Sequence, residues 1–299
     1  MSDLPHIPRY HVGRLIDSGG TAKVYWGVDL RSGFPVAIKE LKTKHLNNPI
    51  VRQKFIEFET HLYLNMHVLH PGISIPKLVE FMDLRDRGLL CIIMEFIEGR
   101  NLEDYIHREI GLIPEQSALP MFLEILDVVE HLHKLVIPYM NIPNGVLHLD
   151  IKPGNVMLQP DGKIKLIDLG IASRISGDDS GTGFGTPPYM PPEQSEMGKC
   201  GAYTDVFALG VMLFEMLTGR VPFSSQNPKA RQAIQEIRYK IKHEPTPQMK
   251  QFYPYINPDL QAVVERALAK NPADRYQSCD EFRNAIKNYM YKHNTAQYL

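Results

Sequence analysis

Apolar residues before Glu98 occur mostly in short runs bounded by turn residues, which is the pattern of β-strands. The predicted strands cover residues 12–16, 24–26, 36–39 and 89–96. One segment breaks this pattern, because Phe55, Phe58, Leu62 and Met66 recur at three- and four-residue spacing and predict a helix over residues 52–66. The first third of the chain is therefore predicted to be mainly β with one helix.

Helical spacing dominates after Glu98. Apolar residues recur at this spacing between Pro114 and His133 and predict one long core-facing helix. Residues 204–219 are apolar on nearly every side, so this helix must lie in the middle of a helical unit. Asn257-Pro258 predicts another helix start, and residues 278–281 form a capping box before the last helix. The tail from Lys292 has no periodicity and is predicted to be frayed.

Bulk composition narrows the function classes. The chain has 299 residues, 43% of them hydrophobic, with 33 Lys+Arg against 34 Asp+Glu, so nucleic acid or an anionic membrane is not expected as the main partner. Three scattered cysteines cannot all pair within one chain, which favours a reducing, cytoplasmic location. The longest apolar stretches are too short or too interrupted to span a bilayer, and the N-terminus lacks a signal-peptide core.

One stretch concentrates the polar chemistry. Residues 148–155 read His-Leu-Asp-Ile-Lys-Pro-Gly-Asn, and Asp168-Leu169-Gly170 follows after two apolar segments joined by the turn signal Pro160-Asp161-Gly162. The predicted β-hairpin returns Asp168 to the neighbourhood of Asn155. Amide and carboxylate oxygens at such a junction suit Mg²⁺, which prefers hard oxygen ligands and shares its coordination with phosphates.

These residues resemble the catalytic loop H-R-D-L-x-x-x-N and the metal loop D-F-G of protein kinases. The resemblance extends over residues 10–290 and is greatest to bacterial eukaryotic-like (Hanks-type) Ser/Thr protein kinases, since Lys152-Pro153 is typical of the Ser/Thr type. It implies an α+β, bilobal fold. A small, mainly β N-lobe with one regulatory helix would occupy about 10–97, a larger, mainly α C-lobe about 98–290, and a short tail 291–299.

Several weaker motifs gain meaning only together. Residues 17–22 match the kinase glycine loop at Gly19 alone, with Asp17 and Ala22 where glycines are expected, and by themselves read as an ordinary hairpin turn. Lys39 alone would be a solvated strand-end charge. In the family it is held by a helix glutamate, for which we choose Glu59 over Glu57; alternatively both face water. Residues 95–99 would form the hinge, or simply a turn after a buried strand.

The resemblance assigns roles residue by residue. Asp150 would orient the substrate hydroxyl and accept its proton, Lys152 would neutralise the γ-phosphate, and Asn155 and Asp168 would hold Mg²⁺, with Mn²⁺ as an alternative ion. His148 is expected to be a scaffold. ATP would be bound by Ile16, Asp17, Ser18, Gly19, Gly20, Thr21, Ala22, Lys23, Val24, Ala37, Lys39, Glu59, Met94, Glu95, Ile97 and Met157. The implied partners are proteins with Ser/Thr acceptors; a homodimer is compatible with the sequence, which does not fix the oligomeric state.

Residues 171–186 have the polar composition of an activation loop. Residues 185–193, which end it, resemble the segment on which kinases place a protein substrate, and we call them the platform. By analogy Arg275 pairs with Glu193, while residues 134–147 read as a surface insertion. Leu149 replaces the arginine of H-R-D, which in many kinases receives the phosphorylated loop; leucine cannot do that, so activity is expected to depend little on loop phosphorylation. Two alternatives stay open: a pseudokinase scaffold that binds nucleotide without transfer, and a small-molecule kinase.

Overall fold

The computed structural model describes residues 4–69, 74–140, 142, 144–170, 173–174 and 185–293, and the chain forms two compact units, residues 1–99 and 100–299. Each unit has its own secondary structure and its own buried core. They are described separately below.

The first unit is built on an antiparallel sheet with the strand order β1-β2-β3-β5-β4. Its strands are β1 (Tyr10–Ser18), β2 (Ala22–Asp29), β3 (Pro35–Leu41), β4 (Leu78–Leu84) and β5 (Leu89–Glu95). The predicted pairing of two strands across the glycine turn is confirmed, because β1 and β2 are antiparallel neighbours that close at Ser18 and Lys23. The prediction that the third strand ends at Lys39 was too short, since β3 continues to Leu41 and the head of Lys39 is buried.

Alternation along these strands explains the first core. Tyr10 and Val12 of β1, Val36 and Ile38 of β3, and Cys91 and Ile93 of β5 stand two residues apart on their strands and are buried in one cluster. Because side chains alternate between the two faces of a sheet, the intervening residues point to the opposite face. Lys39 follows Ile38 on β3 and therefore lies on this opposite face.

The helix predicted over residues 52–66 is present and longer at both ends. It begins as α1 (Pro49–Gln53), passes through a π-helical segment (Lys54–Glu59) and continues as α2 (Thr60–Leu69). Asn48 caps its start, since its side-chain oxygen accepts hydrogen bonds from the amides of Ile50 and Val51. A π-helical turn inside an α-helix often marks a functional position, and Glu59 ends this one.

The second unit is mainly helical. Its helices are α3 (Leu102–Asp104), which continues as a π-helical segment (Tyr105–Ile110), α4 (Glu115–His133), α5 (Pro192–Ser195), α6 (Ala202–Thr218), α7 (Ala230–His243), α8 (Pro258–Ala267) and α9 (Cys279–Lys292). As predicted, α6 is the central helix, buried without interruption from Thr204 to Thr218 and packed against α4, α8 and α9. Its approach to α8 requires glycine at position 210, because a Cβ there would lie 2.8 Å from the Cβ of Ala267.

Short strands carry the polar loops of this unit. They are β6 (Arg100–Asn101), β7 (Val146–Leu147), β8 (Val156–Leu158), β9 (Ile164–Leu166) and β10 (Ser173–Arg174), arranged as the small sheets β6-β8-β9 and β10-β7. The hairpin predicted around Pro160-Asp161-Gly162 is confirmed, because β8 and β9 pair antiparallel. The short sheets thus position both ends of the loops that hold the polar residues.

Two expectations need correction. The segment predicted as a surface insertion is only partly at the surface: Val136 and Tyr139 are exposed, whereas the apolar side chains of Leu135, Ile137, Met140 and Ile142 are buried and anchor it. The predicted fraying at Lys292 is also wrong where the chain is described, since α9 extends to Lys292 and His293 Nε2 lies 2.8 Å from Asp259 Oδ2. Residues 294–299 lie outside the described residues.

The cysteines lie in the interior of the chain. All three cysteines are buried and none forms a disulfide; burial raises the pKa of Cys91 to about 12, so this thiol stays protonated. Among the helices that the structure describes, none combines the length and the apolar character needed to cross a bilayer.

Candidate active site

The hairpin brings the two polar loops of the second unit together. After β7 the chain passes through residues 148–152 and a 3₁₀ turn (Pro153–Asn155) into β8, then returns along β9. The amide of Ile167 donates a 2.8 Å hydrogen bond to the carbonyl of Asn155. Asp168 therefore directly follows a residue bonded to Asn155, as the sequence predicts.

Asp150 is held by hydrogen bonds on both carboxylate oxygens. Oδ1 accepts from the amide of Thr186 at 3.0 Å and from its hydroxyl at 2.8 Å. Oδ2 accepts from Asn155 Nδ2 at 3.3 Å and lies 3.3 Å from Lys152 Nζ. Lys152 also donates to Thr186 Oγ1 at 2.9 Å. The carboxylate is thus fixed by Thr186 on one oxygen and held more loosely on the other.

Asn155 and Asp168 offer the oxygen donors that a hard cation needs. The amide nitrogen of Asn155 is used by Asp150, with a 2.8 Å bond to its carbonyl, which leaves Asn155 Oδ1 as an acceptor. Asp168 has a left-handed backbone (φ 64°), and its Oδ1 accepts from the amide of Gly170 at 3.0 Å. One amide oxygen and one carboxylate fit the ligand preference of Mg²⁺ or Mn²⁺.

Asp205 anchors from inside α6 the start of the loop formed by residues 148–155, which we call the catalytic loop after the kinase motif that it resembles. Its Oδ2 accepts from the amide of His148 at 2.7 Å and lies 2.8 Å from His133 Nε2, while Oδ1 accepts from the amide of Leu149 at 2.8 Å. Burial alone would raise the pKa of Asp205, but the bonds from His133 and His148 outweigh it and keep this pKa below its usual value. Leu149 can consequently hold a left-handed backbone (φ 65°), which is unfavourable for a leucine.

His148 fits a scaffold position. Its side chain is fully buried, and its Nδ1 accepts a 3.3 Å hydrogen bond from the amide of Asp150, two residues further on. Its Nε2 is buried without a hydrogen-bond partner among the residues that the structure describes. The imidazole therefore shapes the loop from within.

The Leu149 side chain occupies an apolar environment. It is 5% exposed and clusters with Leu147 and Cys200. Its carbonyl accepts a 2.7 Å bond from Gln194 Nε2, which joins the catalytic loop to α5. The position that carries arginine in H-R-D thus contributes packing here, with no cation to offer a phosphate.

An interior ion pair fixes the end of the platform, as expected from the sequence. Arg275 Nη1 lies 2.7 Å from Glu193 Oε1, and Nη2 donates to Oε2 at 3.0 Å. The arginine side chain is fully buried and also bonds the carbonyls of Ala269 and Tyr203 at 2.7 and 3.1 Å. Most of the activation loop, with Ser176, Ser180 and Thr182, lies outside the described residues.

A second buried acid holds the middle of the platform. Glu215 of α6 accepts a 2.5 Å bond from the hydroxyl of Tyr189, and its other oxygen lies 2.7 Å from His107 Nε2. Burial raises the pKa of Glu215 more than these two bonds lower it. Residues 185–193 are therefore tied to α6 at one carboxylate and to the loop before α9 at another.

In the first unit, Lys39 and Glu59 form a buried ion pair, with Nζ bonded to Oε1 and side-chain exposures of 7% and 2%. This pairing is the one chosen from the sequence; the side chain of Glu57 lies outside the described residues. Separating the two side chains would leave each as an unpaired buried charge, which is energetically costly, so each residue holds the other in place.

The remaining predicted nucleotide residues divide between the two units. Ile16, Asp17 and Ser18 end β1, Gly19, Gly20 and Thr21 form the turn, and Ala22, Lys23 and Val24 begin β2. Ala37 lies on β3, Met94 and Glu95 end β5, and Ile97 follows. Of the predicted nucleotide residues, Met157, on β8, is the member in the second unit. Within the first unit, these residues lie on or directly beside the neighbouring strands β1, β2, β3 and β5.

Sequence reasoning did not assign roles to two residues that the geometry makes important. Thr186 bonds both Asp150 and Lys152, and Asp205 holds the loop backbone. Asp205 could have been found, because an acid in an otherwise apolar helix must be satisfied by hydrogen bonds from its surroundings. Thr186 had no comparable signal, since its partners lie 34 and 36 residues away.

One further group of side chains has the composition of a metal site. Glu130, His133 and Cys279 are buried and can bring one ligand atom each within 4.8 Å of one another. Lys134 Nζ, however, lies 2.7 Å from Glu130 Oε1, and the thiol of Cys279 has a pKa raised by burial. The cation and the protonated thiol disfavour a metal, and the group is better described as a buried polar cluster.

Comparison with known proteins gives a consistent result. A family model described as "Protein kinase domain" matches residues 10–287. The chain is 34% identical over 286 residues to the Streptomyces coelicolor protein named "Probable serine/threonine-protein kinase SCO3848", covering 93% of this chain and 39% of that protein.

Two further relatives are similar to the same extent. They are serine/threonine-protein kinase PknB of Mycobacterium leprae, 32% identical over 95% of this chain and 43% of that protein, and serine/threonine-protein kinase PrkC of Bacillus subtilis, 31% identical over 93% and 40%. The chain thus spans about two fifths of the length of these curated relatives.

Proposed function

Because the chain belongs to the protein kinase domain family, we propose that it transfers the γ-phosphoryl group of ATP to serine and threonine hydroxyls of proteins, including its own. The observation that carries this proposal is the arrangement around Asp150, a carboxylate fixed by Thr186 and accompanied by Lys152 and Asn155. The names of the relatives support the choice of serine and threonine as acceptors.

In this proposal Asp150 Oδ2 accepts the proton of the substrate hydroxyl. Thr186 donates twice to Oδ1, at 3.0 and 2.8 Å, whereas both contacts to Oδ2 measure 3.3 Å. The longer contacts are easier to displace, so a hydroxyl can take a place at Oδ2 without disturbing the bonds that orient the carboxylate. A proton acceptor that is already oriented avoids a reorganisation cost during transfer.

The cations of the chain supply the electrostatic part. Phosphoryl transfer passes through a loose transition state whose charge is spread over oxygen atoms, so positioning and charge neutralisation account for most of the catalysis. Lys152, which touches Asp150 and Thr186, would turn its ammonium to the transferred group. Lys39, held by Glu59, would bind the α- and β-phosphates.

Asn155 and Asp168 would hold Mg²⁺ or Mn²⁺ through Oδ1 of the amide and the carboxylate, as their donor chemistry allows. When bound, the ion neutralises phosphate charge. In the chain itself, the hydrogen bond from Asn155 Nδ2 to the Asp150 carbonyl fixes which end of the amide can serve as a ligand.

We also propose that activity does not require phosphorylation of the activation loop. Leu149 is packed against Leu147 and Cys200, and the catalytic loop is held instead by Asp205 and Gln194, neither of which depends on a phosphate. The test compares phosphatase-treated protein and a Ser180→Ala/Thr182→Ala variant with untreated protein. We expect less than about a tenfold change in kcat, or about 1.4 kcal/mol in barrier; a larger loss would defeat the proposal.

The activity itself is tested with labelled ATP. Purified protein is incubated with Mg-ATP and either a generic protein acceptor or a panel of small hydroxyl metabolites, with Asp168→Asn as the matched inactive control. We expect label in Ser and Thr of the protein acceptor. Nucleotide binding without any transfer would instead indicate a pseudokinase scaffold, and label confined to metabolites would indicate a small-molecule kinase.

A further inference from the structure

Three successive carbonyl groups of the glycine turn are bonded to one segment of the first unit. Lys42 Nζ donates to the carbonyl of Gly19, His45 Nε2 lies 3.3 Å from the carbonyl of Gly20, and the amide of Lys42 donates to the carbonyl of Thr21 at 2.9 Å. Because a carbonyl can only accept, His45 Nε2 must carry its hydrogen. We call residues 42–45 the latch segment.

The latch segment directly continues the strand that carries the buried lysine. β3 ends at Leu41, and a 3₁₀ turn (Thr43–His45) follows Lys42. Lys42 is therefore three residues beyond Lys39, and β3 is paired with β2 as far as Leu41 and Ala22. The tip of the glycine turn is thus tied to the end of the strand beside it.

Packing does not hold this tip. A Cβ placed at Gly19 or at Gly20 would meet no atom within 4 Å, so neither glycine is required by a close neighbour. Two adjacent glycines without packing contacts have wide backbone freedom. The hydrogen bonds from the latch segment are the interactions that select one arrangement of the turn.

The selected arrangement suits an anion. The carbonyl and the N–H of one peptide unit point in opposite directions, because the unit is planar and trans. Turning the carbonyls of Gly19 and Gly20 to the latch segment therefore turns the N–H groups of Gly20 and Thr21 away from it. In the part of the chain that is described, no hydrogen bond engages these two N–H groups. Successive backbone N–H groups form anion sites, and carbonyl oxygens facing a phosphate would repel it.

From this geometry we infer that Lys42 is a positioning residue, assisted by His45, which holds the glycine turn with its N–H groups presented to the nucleotide phosphates. The order of the turn follows from the contacts alone, whereas its effect on ATP rests on the proposed function. The turn has Asp17 and Ala22 where kinase loops have glycines, and the latch constrains the two flexible glycines that remain.

The experiment uses the whole chain with three substitutions in the latch segment. Lys42→Met removes the donor and keeps the aliphatic stem, Lys42→Arg keeps a donor, and Lys44→Met makes the same charge change at an exposed neighbour that bonds nothing in the described structure. Hydrogen exchange of the peptide covering residues 17–23 reports on the order of the turn, and steady-state kinetics give KM for ATP and kcat.

For Lys42→Met we expect exchange in this peptide to quicken about fivefold or more, KM for ATP to rise about threefold to tenfold, and kcat to change by less than about twofold. Lys42→Arg should keep both the exchange rate and KM for ATP close to those of the wild type, and Lys44→Met should match the wild type. If Lys42 had a merely structural role, Lys42→Met would lower kcat and the stability of the fold together with the change in KM. The faster exchange would then not be confined to the peptide covering residues 17–23.

Several outcomes overturn the inference. Exchange and KM unchanged in Lys42→Met would show that the latch does not order the turn, and equal effects of Lys44→Met would show that charge alone matters. Faster exchange with unchanged KM would remove the link to nucleotide. If the wild type transfers no phosphate, the proposed function fails, and the dissociation constant for Mg-ATP measured by calorimetry replaces KM in the same comparison.

Discussion

Replacing Asp205 by asparagine tests how the catalytic loop is held. The substitution keeps the size of the side chain and removes one acceptor oxygen. In the wild type the carboxylate accepts from the amides of His148 and Leu149 and from His133 Nε2. An asparagine can accept on one oxygen only, so it must turn its NH₂ group to a donor that the carboxylate satisfies.

The magnitude follows from these contacts. A hydrogen bond to a charged group contributes about 1.5–3 kcal/mol, and a buried donor left without an acceptor costs about 1–3 kcal/mol. If the amide of Leu149 loses its acceptor, the two effects together come to about 2.5–6 kcal/mol. The usual cost of breaking a buried charged pair, about 3–5 kcal/mol, lies within this range. Leu149 then no longer has the bond that holds its left-handed backbone, an arrangement that costs about 1–2 kcal/mol.

Relaxation at Leu149 should displace Asp150, the next residue. A misplacement on the order of 1 Å can reduce kcat about a hundredfold. We therefore expect Asp205→Asn to lower the free energy of unfolding by about 3–5 kcal/mol and kcat by about a hundredfold, with KM for ATP nearly unchanged. Denaturant unfolding and steady-state kinetics measure both, at a temperature where the variant remains folded.

The matched control is Glu236→Gln, the same isosteric change at a carboxylate whose partners, Lys240 and Ser225, lie near the surface. It should leave both the denaturation midpoint and kcat close to those of the wild type, because exposed ion pairs contribute little to stability. The reasoning is refuted if Asp205→Asn keeps kcat within about threefold of the wild type and loses less than about 0.5 kcal/mol, since the loop would then not depend on this carboxylate.

Three further predictions concern the second unit. Arg275→Met should destabilise the fold by about 3–5 kcal/mol in denaturant unfolding, because it leaves the nearly buried carboxylate of Glu193 without its cation, and a loss below about 1 kcal/mol would contradict this. Lys270→Met should stabilise the fold by about 1–2 kcal/mol at pH 7, since the Lys270 ammonium nitrogen is buried without a hydrogen-bond partner among the described residues and lies 4.1 Å from the centre of the Phe223 ring. Burial lowers the pKa of Lys270 from 10.5 to about 8, so between these pH values the unfolded chain binds more protons than the folded chain, and the wild type gains stability as the pH rises. The stability advantage of Lys270→Met should therefore shrink in this window. An advantage that stays constant from pH 7 to 10 would refute burial of the ammonium as its cause. Met197 is exposed and has a left-handed backbone (φ 56°), so Met197→Gly should raise the free energy of unfolding by about 0.5–1 kcal/mol, measured by thermal unfolding. Met197→Ala should give no gain in stability, and a gain would argue against backbone strain at this position.

Sequence patterns were sufficient for those parts of the fold in which neighbours along the chain determine the structure. The strand pairing across the glycine turn, the hairpin that returns Asp168 to Asn155 and the central burial of α6 all follow from local spacing and turn residues. The pairing of Lys39 with Glu59 was also predicted, but from family resemblance, since composition alone left Glu57 open.

Two long-range contacts around the site could not be predicted from the sequence. Thr186 contacts Asp150 across 36 positions, and nothing in a Gly-Thr-Pro-Pro stretch specifies that contact. The left-handed backbone of Leu149 depends on Asp205, 56 positions away. The burial of Leu135 and Ile137 was missed because the family usually crosses this gap in fewer residues, which indicated a surface insertion. Tertiary packing buries part of the segment instead.

In the proposed function, Asp150 enables phosphate transfer to serine and threonine hydroxyls. Autophosphorylation with Mg-ATP tests this role, with the wild type compared with Asp150→Asn by phosphosite mass spectrometry. We predict phosphoserine and phosphothreonine in the wild type and a loss of at least about a hundredfold in the variant, because asparagine cannot accept the hydroxyl proton. Equal phosphorylation of both proteins, or none in the wild type, would contradict the account.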